Sequence, residues 1–435
     1  MTSPVPAARD DIRTQATARR NGIHSWTLRN LLIPAADLYF GQRLMRRLRF
    51  LEKAQWWEPS RLETYRDECL TRLIATAYAE VPFYRELMGR AGIVPGHIGR
   101  AEDLRRLPIV TKQMLREAYP LRVVRSTGQR TYESHSSGST GAKTIVREDP
   151  ETAGVYRSSV LLSLEWAGWH LGEAHLQVGA ELPRSPQHRL KDFFLRCHYV
   201  SVFDLHDDNR NGGLDGVLDW IDRNGVKHLW GFPRTLYFIA RRAIERGWNT
   251  PLGSIVTWGD GLYSHYRKTL EAAFHTRVFD TYGCGEGFQV AAQCGAGQNY
   301  HIHALDVIVE LLDDDGQPVA PGESGNVIIT RLHPGPMPLI RYRVGDVAIR
   351  ASEGACPCGR GFERLGGVEG RDAEIVFTPR GDRLTAGCFA GVLESCREIV
   401  ALQVLQERAD SIVVWVIPRV STAARRNGKA NCCPC

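Results

Sequence analysis

No run of apolar residues in this chain of 435 reaches the ~20 that a helix needs to cross a bilayer, and no charged-then-apolar leader opens it. Both absences point to a cytoplasmic protein. Eleven cysteines are few for this length and odd in number, which argues against a disulfide framework and suits reduced thiols or metal ligands. An excess of one charge is also missing. The net +6 comes from basic residues spread through both halves rather than gathered into aromatic-interleaved patches, which argues against nucleic acid as the partner. Internal repeats and low-complexity linkers are absent as well. What is present is length beyond one ordinary domain, with 43% hydrophobic residues to bury a large core.

The densest chemistry lies in SHSSGSTGAKTIVRED, Ser134 to Asp149. Gly138 and Gly141 let backbone N–H groups converge into an anion-binding nest, Ser136, Ser137, Ser139 and Thr140 add hydroxyl donors, and Lys143 adds a full positive charge. That combination suits a triphosphate. It is not a Walker loop, because counting from Gly138 the required second glycine is replaced by Lys143. Taken alone, the run also fits a polar hairpin tip.

From Val226 the pattern alternates: VKHLW as strand, PRTLYFIARRAIERG as helix, SIVTW as strand, SHYRKTLEAAFH as helix, RVFDTY as strand. Such alternation predicts a parallel sheet with crossover helices, with ligands at the carboxyl ends of the strands, where TYGCGEG falls. DVIVELLDDDGQPVAPGESGNVIITR predicts a hairpin around an Asp/Gly/Pro turn. The first hundred residues predict helices. Leu28 to Trp57 mixes large apolar side chains with Arg29, Arg43, Arg46, Arg47, Arg49 and Lys53. Such a surface either rests weakly on anionic lipid or packs on the main domain with its arginines solvated, the second being the plainer reading.

Four motifs in order, SSGSTGAKT, TYGCGEG from Thr281, PLIRYRVGD from Pro338 and GGVEGRDAEI from Gly366, resemble those of the AMP-forming, adenylate-forming superfamily. RLIATAYAEVPFYRELM from Arg72, LPIVTK from Leu107, MPLIRYRVGD from Met337 and CPCGRG from Cys356 resemble its phenylacetate–CoA ligase branch, including the capsular polysaccharide biosynthesis relatives. The resemblance covers roughly residues 60 to 417. It implies an α/β fold: a large multi-layer adenylation domain with a parallel sheet and a helical N-terminal extension (1–369), then a small α+β lid (370–435). Only 64 residues follow Arg371, so the lid is short for the family, and its tail from about residue 419 reads by composition as disordered.

The resemblance further implies ATP-dependent activation of a carboxylic acid to an acyl adenylate, then transfer to coenzyme A, with Mg²⁺. Ser136 to Lys143 would hold the β- and γ-phosphates, and Thr140 and Glu286 the Mg²⁺. Tyr282, with Gly283 beside it, would stack on adenine; Asp346 would accept from the ribose hydroxyls; Arg371 would reach the ribose or the α-phosphate. Lys429 matches the lysine that contacts the substrate carboxylate during adenylation. Each has a plainer alternative: Tyr282 as core, Asp346 as a turn residue, Arg371 as a surface ion pair, Lys429 as a tail residue. Two positions depart from the pattern. Gly285 stands where a threonine is usual, and Ala373 where an acidic hinge residue is usual, which puts lid rotation in question.

Cys294, His301, Cys356 and Cys358 make a donor set suited to a closed, structural Zn²⁺ site, and the family also places a Cys and a His here. Against it, CxC is tighter than the usual CxxC and His303 competes with His301. Cys284 reads as pocket lining. In HLWGFPRTLYF, where the family builds its acyl pocket, Trp230, Phe232 and Tyr237 suit an aromatic or apolar acid. The acceptor is left open between coenzyme A, an amine and a sugar hydroxyl. The alternatives are an acyl- or aminoacyl-activating enzyme for surface polysaccharide and a non-catalytic nucleotide-binding relative.

Overall fold

The computed structural model describes residues 22–135, 144–181, 183–205, 212–352, 354–380, 383–389, 396, 399–408 and 410–418. The chain separates into two compact units, Met1–Val368 and Glu369–Cys435.

The first unit is organised by eleven strands. A separate hairpin precedes them, β1 (Tyr132–His135) against β2 (Ile145–Glu148), with Tyr132 opposite Glu148 and His135 opposite Ile145. The main sheet contains β3 (His175–Gly179), β4 (Cys197–Ser201), β5 (His228–Gly231), β6 (Ser254–Thr257), β7 (Val278–Cys284), β8 (Phe288–Gln293), β9 (Tyr300–Ile302), β10 (Val307–Leu312), β11 (Ser324–Arg331), β12 (Tyr342–Arg350) and β13 (Arg364–Arg371). Their order is β10-β11-β12-β13-β9-β8-β7-β6-β5-β3-β4.

β7 divides that sheet. From β4 to β7 every pairing is parallel, with helices Pro233–Arg246 and Ser264–Phe274 as crossovers. Beyond β7 the described pairings are antiparallel, through β8, β9 and β13 and in the β10–β11–β12 meander. The expected parallel sheet is therefore half of a mixed one. The expected hairpin is β10–β11.

Strand alternation sorts the parallel half into two faces. Leu229, Ile255 and Val278 face one cluster with Leu236, Ile239, Leu270 and Phe274 from the crossover helices. Trp230, Val256 and Phe279 face the other, with Leu162, Trp166 and Trp169, and with Met45, Leu48 and Leu51 from helix Leu44–Ala54. Each such side chain, fully removed from water, contributes on the order of 1.5–3 kcal/mol. Helix Pro59–Glu80 buries Leu62, Cys69, Leu70, Leu73, Ile74 and Ala77, a single stripe at helical spacing, and it stops at Val81 because Pro82 starts the next helix.

In the second unit, Val376–Phe377 pairs with Arg383–Leu384, and Ile399–Arg408 pairs antiparallel with Ser411–Pro418. The Gln406 amide brackets Phe377, accepting from its N–H at 2.8 Å and donating to its carbonyl at 2.7 Å. No helix among the described residues is long and apolar enough to cross a membrane.

Candidate active site and metal centre

The site lies where β7 ends and β12 begins. The two segments are joined by a pair of crossed hydrogen bonds from tyrosine to carboxylate. Tyr282, near the end of β7, donates to Asp346 Oδ2 at 2.7 Å, and Tyr342, the first residue of β12, donates to Glu286 Oε1 at 2.6 Å. All four residues are buried. Burial first, and then the neighbouring negative groups, push both phenols well above their ordinary range, so each stays a donor.

The turn after β7 holds Glu286 in place through a close contact. Gly287 has φ +86°, and a Cβ there would lie 1.6 Å from Glu148 Oε1, so no other residue fits without displacing that carboxylate. Glu148 ends β2, and Ser134 of β1 donates to it at 3.3 Å. Burial raises the Glu148 pKa, against the pull of Arg331. The hairpin that frames the Ser/Gly-rich loop thus reaches the turn that carries Glu286. The loop residues themselves, Ser136, Ser137, Gly138, Ser139, Thr140, Gly141 and Lys143, lie outside the described residues, as does Lys429. Gly345, at φ +87°, turns the chain just before Asp346.

Behind Tyr282, Asp280 is fully buried and accepts from the Thr257 hydroxyl and, at 2.6 Å, from the Tyr300 hydroxyl. Burial lifts its pKa to about 6. Gln293 Oε1 accepts from the Asp280 N–H at 3.0 Å and from Arg267 Nη2 at 2.8 Å. This polar network pins the strand that carries the motif. None of Tyr342, Glu148 or Asp280 was singled out from sequence. The signals available were the tyrosine within RYRVGD and an aspartate between the apolar Val278 and Phe279 and the motif that follows.

The three aromatic residues singled out in HLWGFPRTLYF, Trp230, Phe232 and Tyr237, have different surroundings. Trp230 stacks on His175 with centroids 3.7 Å apart and meets Trp169 edge-on at 4.9 Å. Phe232 caps helix Pro233–Arg246, and its ring lies against Gly259, where a Cβ would come within 2.8 Å. Tyr237 is on that helix, with Tyr266 at 4.8 Å. Arg371 ends β13 and belongs to the second unit.

Cys294, His301, Cys356 and Cys358 are all buried, with their ligand atoms within 4.8 Å of one another. Zn–S bonds of about 2.3 Å and Zn–N bonds of about 2.0 Å require tetrahedral edges of roughly 3.8 Å (S···S) and 3.5 Å (S···N). The Cys294–Cys356 sulfurs lie 3.7 Å apart, and Cys358 Sγ lies 3.3 Å from His301 Nε2. Hydrogen bonds from Cys294 and Cys356 hold Cys358 below its ordinary range, and the same contacts push Cys294 up, so the thiols of the cluster compete for protons. The residues fit zinc. His303 is engaged elsewhere: its ring stacks on Trp166 at 4.9 Å and its Nε2 lies 2.9 Å from Ser163 Oγ.

No family model matches the chain. A phenylacetate–coenzyme A ligase from Thermus thermophilus is 28% identical over 359 residues, 78% of this chain and 77% of that protein. A phenylacetate–coenzyme A ligase from Escherichia coli is 26% identical over 75% of this chain and 74% of its own length. The chain is similar in sequence to enzymes of the adenylate-forming superfamily. Within that superfamily it is phenylacetate–CoA ligase-like, an AMP-forming, acid–CoA ligase-like enzyme. Its fold matches that of 2-hydroxyisobutyryl-CoA ligase in the postadenylation state, with a TM-score of 0.66 at 19% identity, covering 86% of this chain and 81% of that one. The same ligase in its thioesterification state gives a TM-score of 0.60 at 21% identity, over 86% and 83%. Of the motifs read from sequence, TYGCGEG and PLIRYRVGD occupy the strand ends described above.

Proposed function

We propose that the chain is an ATP-dependent acid–CoA ligase that activates a carboxylic acid, of aromatic or apolar character, to an acyl adenylate and transfers the acyl group to coenzyme A. The observation that carries this reading is the crossed pairing of Tyr342 with Glu286 and Tyr282 with Asp346, which orients two carboxylates at the carboxyl end of a parallel sheet. In the first step the substrate carboxylate attacks the α-phosphorus of ATP and pyrophosphate leaves. In the second the thiolate of coenzyme A attacks the acyl carbon and AMP leaves. Mg²⁺, when bound, neutralises charge on the triphosphate, and Glu286, with Thr140 of the undescribed loop, would hold it. Tyr342 uses one of several lone pairs on Glu286, leaving acceptor capacity for that role.

Asp346 suits the ribose hydroxyls because a carboxylate only accepts hydrogen bonds, and the bond from Tyr282 to its Oδ2 fixes its orientation. Tyr282 is buried to the level of a core side chain, so its ring can offer the adenine only an edge or a partial face. Lys143 and Lys429 are assigned to the phosphates and to the substrate carboxylate on the motif alone. Trp230, Phe232 and Tyr237 support an aromatic or apolar acid by composition. The Cys3His cluster supports a structural zinc, since four ligands close the coordination shell. The curated relatives are CoA ligases, and no feature of this chain favours a polysaccharide acceptor over the thiol.

The test is carboxylate-dependent ATP–pyrophosphate exchange across aryl and short-chain acids, followed by thiol consumption when coenzyme A is added. Exchange with one acid class and loss of free thiol is the expected result. ATP binding without exchange for any acid would overturn the proposal in favour of a non-catalytic relative.

A further inference from the structure

Helix Ile23–Phe40, which contains one π-helical turn at Leu28–Leu32, is built inside out. Its inward face buries Ser25 and Arg29 with Leu28. Arg29 is held there by two carboxylates, Glu52 and, at 3.2 Å, Glu165. Its outward face is apolar: Ile23 is 86% exposed, Trp26 55%, Leu38 88%, Tyr39 84% and Phe40 58%. The last eight residues, IPAADLYF, bury nothing. Helix Pro186–Leu195 extends the surface, with Leu190 60% and Phe193 76% exposed. The two helices touch where His24 Nε2 meets the Phe194 carbonyl at 2.9 Å.

Two observations indicate what covers this face. The first is charge. Arg49 lies on the edge of the helix, donating to Asn30 Oδ1 at 2.9 Å, while Arg43 follows its C-terminal glycine and Arg189 sits one turn before Phe193. Arg46, Lys53 and Arg196 are also exposed. Most local acids are paired with arginines: Glu52 with Arg29, Asp192 with Arg184 and Glu151 with Arg43 at 3.2 Å, while Asp37 accepts from the Met45 N–H at 2.8 Å and keeps its charge, so the surplus rests on Arg46, Arg49, Lys53, Arg189 and Arg196. A second copy docked on this face would bring like charges together, whereas an anionic surface neutralises them. The second is composition. The 21 residues before Gly22 hold Met1, Val5 and Ile12 as their only large aliphatic side chains and no aromatic, so they cannot supply an apolar cover.

We infer that this face rests on an anionic lipid bilayer. Trp26, Leu38, Tyr39 and Phe40 enter the headgroup boundary, and the arginines around them meet the lipid phosphates and carboxylates. This is independent of the ligase reading, since it rests on no residue of the active site.

Cosedimentation of the full chain with vesicles tests it, using phosphatidylcholine alone and phosphatidylcholine mixed with phosphatidylserine. The wild type is expected to pellet with the mixed vesicles only, and to be released by salt. The triple variant Trp26→Ser, Leu38→Ser, Phe40→Ser, whose side chains are exposed, should stay in the supernatant with unchanged thermal unfolding. Arg46→Glu with Arg189→Glu should lower partitioning by at least about 25-fold, from about fivefold for each charge removed. Wild type left in the supernatant with mixed vesicles at low salt overturns the inference. So does equal pelleting of the wild type and the apolar triple variant. A dimer seen by light scattering that the triple variant abolishes, without vesicle binding, would assign the face to a second copy instead.

Discussion

Tyr342 donates its phenolic hydrogen to Glu286 Oε1 across 2.6 Å, joining residues 56 positions apart in the chain. The bond crosses from the start of β12 to the turn after β7, and both groups are buried. Removing the donor leaves a buried carboxylate short of a partner, which costs about 1–3 kcal/mol. Tyr342→Phe is therefore expected to lower unfolding stability by that amount and pyrophosphate exchange by roughly 10–100-fold, because Glu286 loses its orientation. Chemical denaturation and exchange assays on one preparation check both. Full activity with the stability loss would reduce Tyr342 to a packing role.

Gly287 carries a sharper constraint. Its φ is +86° and a Cβ would overlap Glu148 Oε1 at 1.6 Å, so Gly287→Ala both strains the backbone and displaces a buried carboxylate. A loss above about 2 kcal/mol is expected. In Glu148→Ala the steric part disappears, so the double variant should be less destabilised than the sum of the singles by at least about 1 kcal/mol. Strict additivity would show that the contact is not the cause.

TYGCGEG and RYRVGD were legible because each is contiguous; the first spans the end of β7 and the second the start of β12. What joins them was not. The crossed bonds depend on how far the sheet continues beyond β7 in antiparallel fashion, which is a property of pairing order rather than of any local pattern. The candidate metal ligands were legible as residue types, yet Cys294 and Cys356 stand 62 positions apart and only the fold places His301, rather than His303, beside the sulfurs. The surroundings of the aromatic residues in HLWGFPRTLYF were not legible either, because strand alternation sends Trp230 toward Trp169 and His175, while the helix that follows carries Tyr237 toward Tyr266. On the N-terminal helix, composition predicted solvated arginines, but Arg29 is drawn inward by Glu52 and Glu165.

His175 makes stability depend on pH. Burial lowers its pKa from 6.5 to about 4, with its ring stacked on Trp230 and its Nδ1 3.2 Å from the Glu173 carbonyl. Above pH 6.5 the ring is neutral in both states, and its contribution is fully present. As pH falls from 6.5 toward about 4, the unfolded chain takes up a proton that the folded ring refuses, so stability is lost across that window, by up to about 3 kcal/mol. His175→Phe keeps the stack and removes the proton. Its urea midpoint should fall less steeply than the wild type's between pH 6.5 and 4; parallel profiles would dismiss His175 as the cause.

The metal centre makes the last prediction. Its four ligand atoms already lie within 4.8 Å, so the chain purified without chelator should carry one zinc per chain by elemental analysis. Cys358→Ser and His301→Ala each remove one corner of the tetrahedron, and should lower bound zinc and the melting temperature by roughly 5–10 °C. His303→Ala is the control, because that ring stacks on Trp166 and contacts Ser163 rather than the sulfurs, so zinc should be retained. Because the site is closed, stripping zinc with a chelator should destabilise the fold before it alters the acid preference of whatever activity remains. Unchanged zinc in both ligand variants, or none in the wild type, would leave four buried thiol and imidazole groups that merely pack together.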